Sequence, residues 1–481
     1  MKDYKYYLDK NGEIGYVERI VHSIAYVEGL PKVVSSEVVT FEGGALGIVL
    51  SLHTDSVEIL LINLQVRVGE AVSRTGEHLA VPLSEQLLGK VVSPLALSSG
   101  GAEVVTKPEE SRPVDQEPMS ILGRAEVKKP FETGVKIVDL MIPLGSGQRE
   151  LVVGDRKTGK TQFLMQVMLS QAAQGIVCVY AAIGKRRQET EDVISFMREN
   201  KILDNSVVVA TGSSDAAGLI YLTPYSAMTI AEYFRDKGKD SLVIMDDMTA
   251  HANYYRQITL LARRFPGRSS YPGDIFYIHA RLLERAGSFE KATITALPVA
   301  ESAMGDLSGY IQTNLMAMTD GHIFFDIDRY NRGMRPAINP FLSVTRVGMQ
   351  AQSPLVRDLN RQVSSFLVQM ETLREFMHFG AELSESLKRT LNLGIRIDQF
   401  FLQGQLAIVP VNAAIFLLAA IWGGYAKEVD RDKLQTEYDK VLLKYSEVAQ
   451  FSQFVDGLVI GTPSFSELVE KISKQEGAFA P

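Results

Sequence analysis

The stretch Gly154–Thr161 (GDRKTGKT) fits a pattern of glycine, four residues, and then glycine, lysine and threonine. This pattern is typical of the phosphate-binding P-loop, in which backbone N–H groups contact several phosphate oxygens at once. Glycines let the backbone approach the phosphates, the lysine reaches the outer phosphates, and the threonine hydroxyl ligates Mg²⁺. The alternative interpretation is an ordinary glycine turn before a helix.

The residues on either side of this stretch favour the P-loop interpretation. Glu150–Val153 (ELVV) has the composition of a buried strand that leads into the loop. Gln162–Ala173 carries apolar residues at helical spacing. A strand, a glycine-rich loop and a helix in this order are the context that the motif requires.

Length and composition indicate a globular protein with several domains. At 481 residues the chain exceeds what one hydrophobic core usually fills, so we expect about two to four domains. A net charge of −7 does not indicate a general nucleic-acid binder. The one cysteine, Cys178, lies in an apolar run, and a single cysteine excludes an internal disulfide framework.

The hydropathy of the chain predicts a cytoplasmic protein. Residues 1–10 (MKDYKYYLDK) are charged and lack an apolar core, so we expect no signal peptide. The most apolar run, Ala413–Trp422, is too short to span a bilayer. Attachment to a membrane complex remains compatible with both observations.

Three regions with different patterns follow one another along the chain. Residues 1–85 alternate apolar and polar positions between frequent glycines, which predicts a small N-terminal β-barrel or sandwich. Residues 86–354 contain the P-loop, and we expect Ser98–Glu117 to be an exposed connector within them. Residues 355–481 have apolar positions at helical spacing and few strand signals, which predicts a C-terminal α-helical domain.

In the central region strand-like runs alternate with helical patterns. This alternation predicts an α/β domain with a mostly parallel sheet, whose ligands bind beyond the carboxyl ends of the strands. The strand candidates are Glu150–Val153, Ile176–Ala182, Ser206–Ala210, Leu242–Met245 and Ile294–Val299.

An apolar run that ends in two acids supplies a candidate metal ligand. Leu242–Met245 is followed by Asp246 and Asp247. A carboxylate at the end of a strand beside a P-loop can hold Mg²⁺, directly or through water, and we assign this role to Asp246. The alternative is a pair of solvated turn acids.

Two arginines in the segment after the central strands are candidates for a role in a neighbouring subunit. Arg335 lies in the run Arg332–Asn339, and Arg346 lies in the run Ser343–Gly348. An arginine at the rim of one subunit can reach the transferring phosphate in the next as an arginine finger. Spacing alone does not establish this role, because most arginines are simply solvated.

These motifs together resemble the alpha subunit of the F-type rotary ATP synthase, over nearly the whole chain from about Gly15. Gly-Asp-Arg at the start of the P-loop is typical of alpha subunits, whereas beta subunits have a glycine-rich loop there. The stretches that carry the resemblance are Gly147–Thr161 (GQRELVVGDRKTGKT), Tyr271–Ala286 (YPGDIFYIHARLLERA), Thr319–Gly321, Arg335–Asn339 (RPAIN) and Ser343–Gly348 (SVTRVG).

The resemblance implies a β-barrel domain, a P-loop domain of the RecA-like type and a helical bundle, in a ring of alternating alpha and beta subunits. It implies ATP or ADP with Mg²⁺ as ligands, Thr161 and Asp246 at the metal, and Arg346 as the arginine that alpha inserts into the catalytic site of beta. The implied adenine pocket is formed by Tyr330, Arg335, Gln403 and Gln405. The implied phosphate and magnesium contacts are Arg156, Lys157, Thr158, Gly159, Lys160, Thr161 and Asp246.

The resemblance also implies partners and a location. The partners are the beta subunit, the gamma subunit of the central stalk, the delta subunit of the peripheral stalk and, through the complex, the membrane rotor. We expect a peripheral position on the cytoplasmic face of the cell membrane and no nucleic-acid partner. Few residues precede the first predicted strand, so we expect attachment to the peripheral stalk that is weaker or differently organised than is usual in the family.

The sequence departs from the family pattern at several positions. Lys157 stands where the family usually has glutamine. Lys185 occupies the position of a glutamine in alpha subunits and of the catalytic glutamate in beta subunits. Ala317 replaces a serine near the arginine finger, and Gln312 replaces a proline. These departures suggest a divergent member of the family.

Four functions compete on the sequence, and the last of them is an alpha-like subunit of a related ATPase that has been recruited to another motor. The first is a regulatory, non-catalytic nucleotide-binding subunit in a complex that couples ATP synthesis to H⁺ or Na⁺ transport. The second is a self-sufficient hexameric ATPase of the export or secretion type, which would need a carboxylate at position 185 to polarise water. The third is a nucleic-acid translocase, which would need an aromatic and basic platform in the barrel, where residues 1–85 are mainly aliphatic.

Overall fold

The computed structural model describes residues 3–98, 101–378 and 384–474. Residues 99–100 of the predicted connector and residues 379–383 and 475–481 of the predicted helical domain lie outside the described residues. The chain divides into two compact units. The first comprises residues 1–126, 147–153 and 171–320, and the second comprises residues 127–146, 154–170 and 321–481.

The strands of the described residues are, in chain order, β1 (Gly15–Val21), β2 (Ile24–Glu28), β3 (Glu37–Phe41), β4 (Leu46–Leu52), β5 (Val57–Leu61), β6 (Ala71–His78), β7 (Ala80–Leu83), β8 (Lys90–Val92), β9 (Glu110–Pro113), β10 (Pro130–Phe131), β11 (Leu144–Gly145), β12 (Glu150–Gly154), β13 (Val177–Lys185), β14 (Ser206–Gly212), β15 (Ser241–Asp246), β16 (Gly287–Ser288), β17 (Thr293–Glu301), β18 (Gly321–Phe325) and β19 (Val344–Thr345).

The α-helices are α1 (Tyr4–Asn11), α2 (Lys136–Met141), α3 (Lys160–Ala173), α4 (Arg187–Glu199), α5 (Ala217–Asp236), α6 (Met248–Leu261), α7 (Ile275–Leu283), α8 (Tyr310–Met318), α9 (Ile327–Asn331), α10 (Pro354–His378), α11 (Glu385–Phe401), α12 (Val411–Trp422), α13 (Arg431–Glu447), α14 (Ala449–Ile460) and α15 (Phe465–Ser473).

The first unit begins with a closed β-barrel. Its strands follow the order β1-β2-β5-β4-β3-β6, and β6 pairs with β1 to close it. Every second residue points inward in an antiparallel barrel, and these positions carry the aliphatic residues seen in the sequence. Val39, Phe41 and Ile59 are among the residues that fill the interior with no exposed surface. The predicted N-terminal β-barrel is confirmed.

The short helix α1 lies against the barrel and was not predicted. Asp3 caps it by accepting a hydrogen bond from the Tyr6 N–H at 2.9 Å. Tyr7 is buried, and its hydroxyl donates to the Glu77 carboxylate at 3.1 Å. The tyrosine rings therefore give this polar segment an apolar side that the sequence pattern did not reveal.

The first unit also contains the predicted parallel sheet, with the strand order β12-β17-β15-β13-β14-β8. The pairs β15·β17, β13·β15, β13·β14 and β14·β8 are parallel. Each of the five strand candidates of the sequence corresponds to a strand here. Helices α4, α5 and α6 alternate with these strands along the chain, as expected of an α/β domain.

The segment that the sequence predicted to be only an exposed connector contains a strand. Strand β9 pairs antiparallel with β7, and Leu83 lies opposite Glu110. Most of the described residues between 101 and 117 are exposed, as expected, but the strand was not predicted, because Glu110–Pro113 is charged and ends in proline and so has no alternating apolar pattern. Its backbone pairing with β7, rather than its side chains, keeps it in a sheet.

The second unit contains the helix after the P-loop and the C-terminal helices. In the region 355–481, where apolar positions at helical spacing predict helices, the segments 356–374 and 384–403 correspond to α10 and α11. The apolar run near residue 415 forms α12, in which Ala413–Ile421 are all buried. The C-terminal helical domain is confirmed. Among the described helices, none combines the length and apolar character that a bilayer crossing requires.

Candidate functional site

The P-loop joins β12 to α3, as the sequence predicts. Residues 150–154 of β12 are buried, and α3 starts at Lys160, within the motif. A Cβ atom on Gly154 would come within 2.4 Å of the Phe325 carbonyl oxygen, so no larger residue fits there. Gly159 has a φ of 101°, in the left-handed region that glycine adopts without strain. Both glycines are therefore required by the shape of the loop.

The side chains of the loop place positive charge at the start of α3. The Lys160 ammonium is buried and donates to the carbonyl oxygens of Gly154 at 2.6 Å and Asp155 at 2.7 Å. Arg156 and Lys157 are exposed, and Lys157 has a φ of 65°. Cations beside the N-terminus of a 14-residue helix form an arrangement that attracts anions such as phosphate.

The predicted adenine-pocket residues Tyr330, Arg335 and Gln403 are brought together in the second unit. The Arg335 guanidinium lies 3.6 Å from the centre of the Tyr330 ring. Arg335 also donates to the Tyr330 carbonyl oxygen at 2.7 Å, and its own carbonyl accepts from the Gln403 N–H at 2.8 Å. The stacked pair forms a flat, half-buried surface of the kind on which a base can lie.

The two glutamines assigned to this pocket differ in their surroundings. The Gln403 side chain is buried, donates to the carbonyl oxygens of Gly134 and Ala407, and accepts from the Lys136 N–H. These bonds occupy both ends of its amide, so Gln403 holds the loop in place. Gln405 is exposed.

Arg346 follows the short strand β19 and is exposed. Strand β19 pairs antiparallel with β18, with Thr345 opposite Gly321. Burial lowers the pKa of His322, and the charge of Arg346 lowers it further. Arg346 is therefore an exposed guanidinium directly after the antiparallel pair of β18 and β19 in the second unit.

The predicted metal ligand Asp246 lies at the carboxyl end of β15 and is 4% exposed. Its Oδ1 atom is 2.6 Å from the Lys185 ammonium, and its Oδ2 atom accepts from the Tyr180 hydroxyl at 2.7 Å. Lys185 ends the neighbouring strand β13, which runs parallel to β15 with Ala182 opposite Asp246. Both oxygens of the carboxylate are therefore engaged within the chain.

The second acid of the pair, Asp247, has a structural role. It caps α6 by accepting from the Ala250 N–H at 2.6 Å, and its other oxygen is 3.5 Å from the Lys185 ammonium. Burial raises the pKa of Asp247 to about 6, against the opposing effect of Lys185. Burial disfavours the Lys185 charge, but Asp246 and Asp247 outweigh it and raise the pKa of Lys185 above its usual range.

Sequence reasoning missed Tyr180 and the ion pair of Lys185. Tyr180 lay within a run interpreted as core packing, and Lys185 was noted only as a departure from the family. The available signal was a lysine at the end of one strand and two acids at the end of another. Strands β15 and β13 lie side by side in the sheet, and this order of the strands could not be inferred from the sequence pattern.

A bidentate ion pair fixes the start of β12. Arg149 donates to Asp320 through Nη2 at 2.7 Å and through Nε at 3.1 Å. The Asp320 N–H donates back to the Arg149 carbonyl oxygen at 2.8 Å. Both the side chain and the main chain of Asp320, in the segment Thr319–Gly321, therefore contact Arg149.

Two positions at which the sequence departs from the family pattern, Gln312 and Ala317, are on α8. Ala317 is exposed on this helix, and the Gln312 side chain donates to the Glu301 carbonyl oxygen. Gln312 thus connects α8 to the end of β17, a bond that proline could not make.

Comparison with known proteins gives the family. Residues 134–345 match the family model "ATP synthase alpha/beta family, nucleotide-binding domain", and residues 352–448 match "ATP synthase alpha/beta chain, C terminal domain". The chain belongs to this family. The resemblance inferred from the motifs is confirmed, and the family assignment covers both the P-loop region and the helical region.

Individual relatives carry a more specific name. "ATP synthase subunit alpha" of Clostridium acetobutylicum is 39% identical over 90% of this chain and 86% of that protein. The proteins of the same name from Dictyoglomus turgidum and Sulfurovum sp. are 39% and 36% identical, over 91% and 93% of this chain and 88% and 89% of those proteins.

Proposed function

We propose that this chain is the regulatory, nucleotide-binding alpha subunit of an F-type ATP synthase and does not itself turn ATP over. Similarity to proteins named ATP synthase subunit alpha over about nine tenths of the chain supports the assignment to the complex. The ion pair of Lys185 with Asp246 and Asp247 is the observation that supports the proposal that this chain does not turn ATP over.

A lysine in this position cannot do the work of a catalytic carboxylate. A general base must accept a proton at neutral pH, whereas the two aspartates keep the Lys185 ammonium protonated. An ammonium also cannot orient an attacking water by accepting its hydrogen bond, because it has no acceptor. The self-sufficient export-type ATPase needs a carboxylate at this position, which can accept a hydrogen bond from the attacking water.

The nucleotide contacts of the proposal follow the geometry of the second unit. Backbone N–H groups and the cations of the P-loop bind the phosphates, and the stacked Tyr330 and Arg335 bind the adenine. Gln403 positions this surface and Gln405 borders it. The phosphate contacts we propose are Arg156, Lys157, Thr158, Gly159, Lys160 and Thr161.

Thr161 and Asp246 differ in their suitability as ligands of Mg²⁺. The Thr161 hydroxyl, exposed in the first turn of α3, suits the metal role that the motif assigns to it. Asp246 does not fit as a direct ligand, since an ammonium and a tyrosine hydroxyl already occupy its oxygens. The proposal for nucleotide binding does not depend on Asp246.

The proposal places the chain in an alternating ring with beta subunits. Arg346 would be delivered to the catalytic site of a neighbouring beta subunit, where a guanidinium can contact two phosphate oxygens at once. The ring would surround the gamma subunit, contact a delta subunit of the peripheral stalk and lie at the cytoplasmic face of the membrane. The coupled ion would be H⁺ or Na⁺. Within the chain we propose domains at 1–85, 86–354 and 355–481.

The test compares binding and turnover by the purified chain. We expect it to bind ATP and to release no phosphate above background, alone or with added Mg²⁺, and to support hydrolysis only when combined with the beta subunit. Lys160→Ala should abolish ATP binding. Steady hydrolysis by the purified chain that disappears in Lys160→Ala would favour the self-sufficient hexameric ATPase instead.

A further inference from the structure

A cavity of about 490 Å³ lies within the first unit, between the β-barrel and the helices α5 and α6. The barrel contributes Leu50 of β4 and Leu60 of β5, and the helices contribute Tyr221 and Ile258. These four residues also belong to the small apolar cluster that joins the barrel to the helices. A cavity of this size, with mostly apolar walls, can enclose a small organic molecule.

Three tyrosine rings line the helical side of the cavity. The centre of the Tyr221 ring is 5.3 Å from that of Tyr225 and 5.4 Å from that of Tyr255. Their hydroxyls are engaged within the chain, since those of Tyr221 and Tyr225 are 3.2 Å apart and that of Tyr255 donates to Asp274 at 2.8 Å. Aromatic rings pack favourably on other aromatic rings in offset or edge-to-face arrangements. The helical side therefore suits a ligand with an aromatic body.

The rim of the cavity carries a positive charge that the chain does not neutralise. Asp115 and Arg264 are charged residues of the lining, and the Arg281 guanidinium lies 3.4 Å from the Asp115 carboxylate. Arg264 is exposed, donates to the Ser51 hydroxyl at 3.3 Å, and forms no ion pair with any residue that the structure describes. A guanidinium can bind a carboxylate through two parallel hydrogen bonds. The rim therefore suits a ligand with a carboxylate.

We propose that this cavity binds a small aromatic carboxylic acid, with the ring between the tyrosines and the barrel side chains and the carboxylate on Arg264. A molecule that contacts both walls stabilises the packing of the barrel on α5 and α6, because it binds only when both are folded. The inference does not rest on the proposed nucleotide binding, whose contacts are residues of the second unit.

The experiment titrates the purified full-length chain with 2-naphthoate in a calorimeter. We expect one site per chain with a dissociation constant on the order of 1 mM or tighter. The neutral compound 2-naphthylmethanol should bind at least about fivefold more weakly, because it cannot pair with the guanidinium. Decahydro-2-naphthoate, the saturated acid of the same skeleton, should bind at least about twofold more weakly, because it lacks the aromatic contacts. The melting temperature of the chain should rise with the concentration of 2-naphthoate.

Two pairs of variants locate the site. Arg264→Gln should weaken the binding of 2-naphthoate by at least about fivefold and leave that of 2-naphthylmethanol unchanged. Arg263→Gln removes the neighbouring exposed charge, which is not part of the lining, and should bind as the natural chain does. Leu50→Trp fills the cavity and should abolish binding, whereas Leu52→Trp, at a 52% exposed position of the same strand, should not.

Each outcome supports or overturns the inference. If the folded natural chain does not bind 2-naphthoate, or if Arg264→Gln binds it equally well, the inference is wrong. Equal losses in Arg263→Gln and Arg264→Gln would show a general attraction to basic residues, which also contradicts it. Equal affinity for the saturated acid would overturn the assignment of an aromatic ligand. ATP binding, measured on the same four variants, should match that of the natural chain, so the nucleotide proposal is tested separately.

Discussion

At the scale of single residues, an exposed arginine that follows a short edge strand makes the proposed contribution to catalysis. Arg346 lies directly after β19 and is exposed. A guanidinium delivered from one subunit to the next can increase turnover by about three to five orders of magnitude. We therefore expect Arg346→Ala, in a complex assembled with the beta subunit, to lower steady-state hydrolysis by about a thousandfold or more.

Assembly and nucleotide affinity should survive this change, because Arg346 does not hold the fold. Arg361→Ala is the matched control, since Arg361 has an 80% exposed side chain in the same unit and pairs only locally with Asp358. Gel filtration and nucleotide titration should give the same values for both variants. Near-normal turnover by Arg346→Ala would mean that the finger assignment is wrong.

We expect a buried arginine, Arg285, to stabilise the first unit. Arg285 is 1% exposed and forms two hydrogen bonds with the Glu232 carboxylate, and it also donates to Thr229 and to the Val114 carbonyl oxygen. Arg285→Met leaves the Glu232 charge buried without its partner, which should lower the free energy of unfolding by about 3–5 kcal/mol.

Urea unfolding followed by circular dichroism measures this loss. Arg198→Met, at an exposed position of α4, removes the same charge and should change stability by less than about 0.5 kcal/mol. Equal midpoints for the two variants would show that the buried pair contributes nothing.

At the scale of elements, α6 and α7 meet through two buried histidines. His251 Nδ1 and His279 Nε2 are 3.0 Å apart, and the His251 ring stacks on Tyr221. Burial lowers the pKa of His251 to about 4 and lowers that of His279 well below its usual value, with a further effect from His251. Both rings are therefore neutral in the folded protein at neutral pH.

This pair predicts a loss of stability in mild acid. The unfolded chain takes up protons on histidine below about pH 6.5, while the folded chain resists until about pH 4 for His251. The stabilisation is complete above pH 6.5 and is lost as the pH falls towards 4, by about 1.4 kcal/mol per pH unit for each histidine. Melting temperatures measured from pH 7 to pH 5 should therefore fall.

A comparison of variants shows whether the two buried histidines cause the pH dependence of stability. His279→Gln removes one of the two titrating groups and should make the pH dependence shallower by about 1.4 kcal/mol per pH unit. His53→Gln changes an exposed histidine of the same unit and should leave the slope unchanged. Identical slopes in the natural chain and His279→Gln would contradict the role of the pair.

The sequence predicted most of the regular elements because their hydrophobic patterns are local. Strands such as β13 and β15 are continuous apolar runs, and α11 has a clear helical repeat. It did not predict α1 or β9, since two tyrosines and a backbone pairing hold these polar segments in place. The pairing of Lys185 with Asp246 also escaped prediction, because it depends on which strands lie side by side.

At the scale of the whole molecule, we propose that the chain contributes residues to two different sites. One is the nucleotide site of this chain, in which the Lys160 ammonium is anchored by the Gly154 and Asp155 carbonyls. The other is the catalytic site of a neighbouring beta subunit, to which this chain would contribute Arg346. Removing each contribution in the assembled complex should therefore have different consequences.

We expect Lys160→Ala to empty the nucleotide sites of this chain while the complex keeps at least about a tenth of its turnover. The reason is that Lys160 reaches the phosphates of its own nucleotide, whereas the reacting phosphate lies in the partner. Lys440→Ala, at a position of α13 with a 64% exposed side chain, controls for the loss of a lysine. Nucleotide retained after gel filtration and phosphate release are the two measurements. If Lys160→Ala lowers turnover as severely as Arg346→Ala, hydrolysis takes place in this chain's own site, and the division of labour between the two subunits must be abandoned.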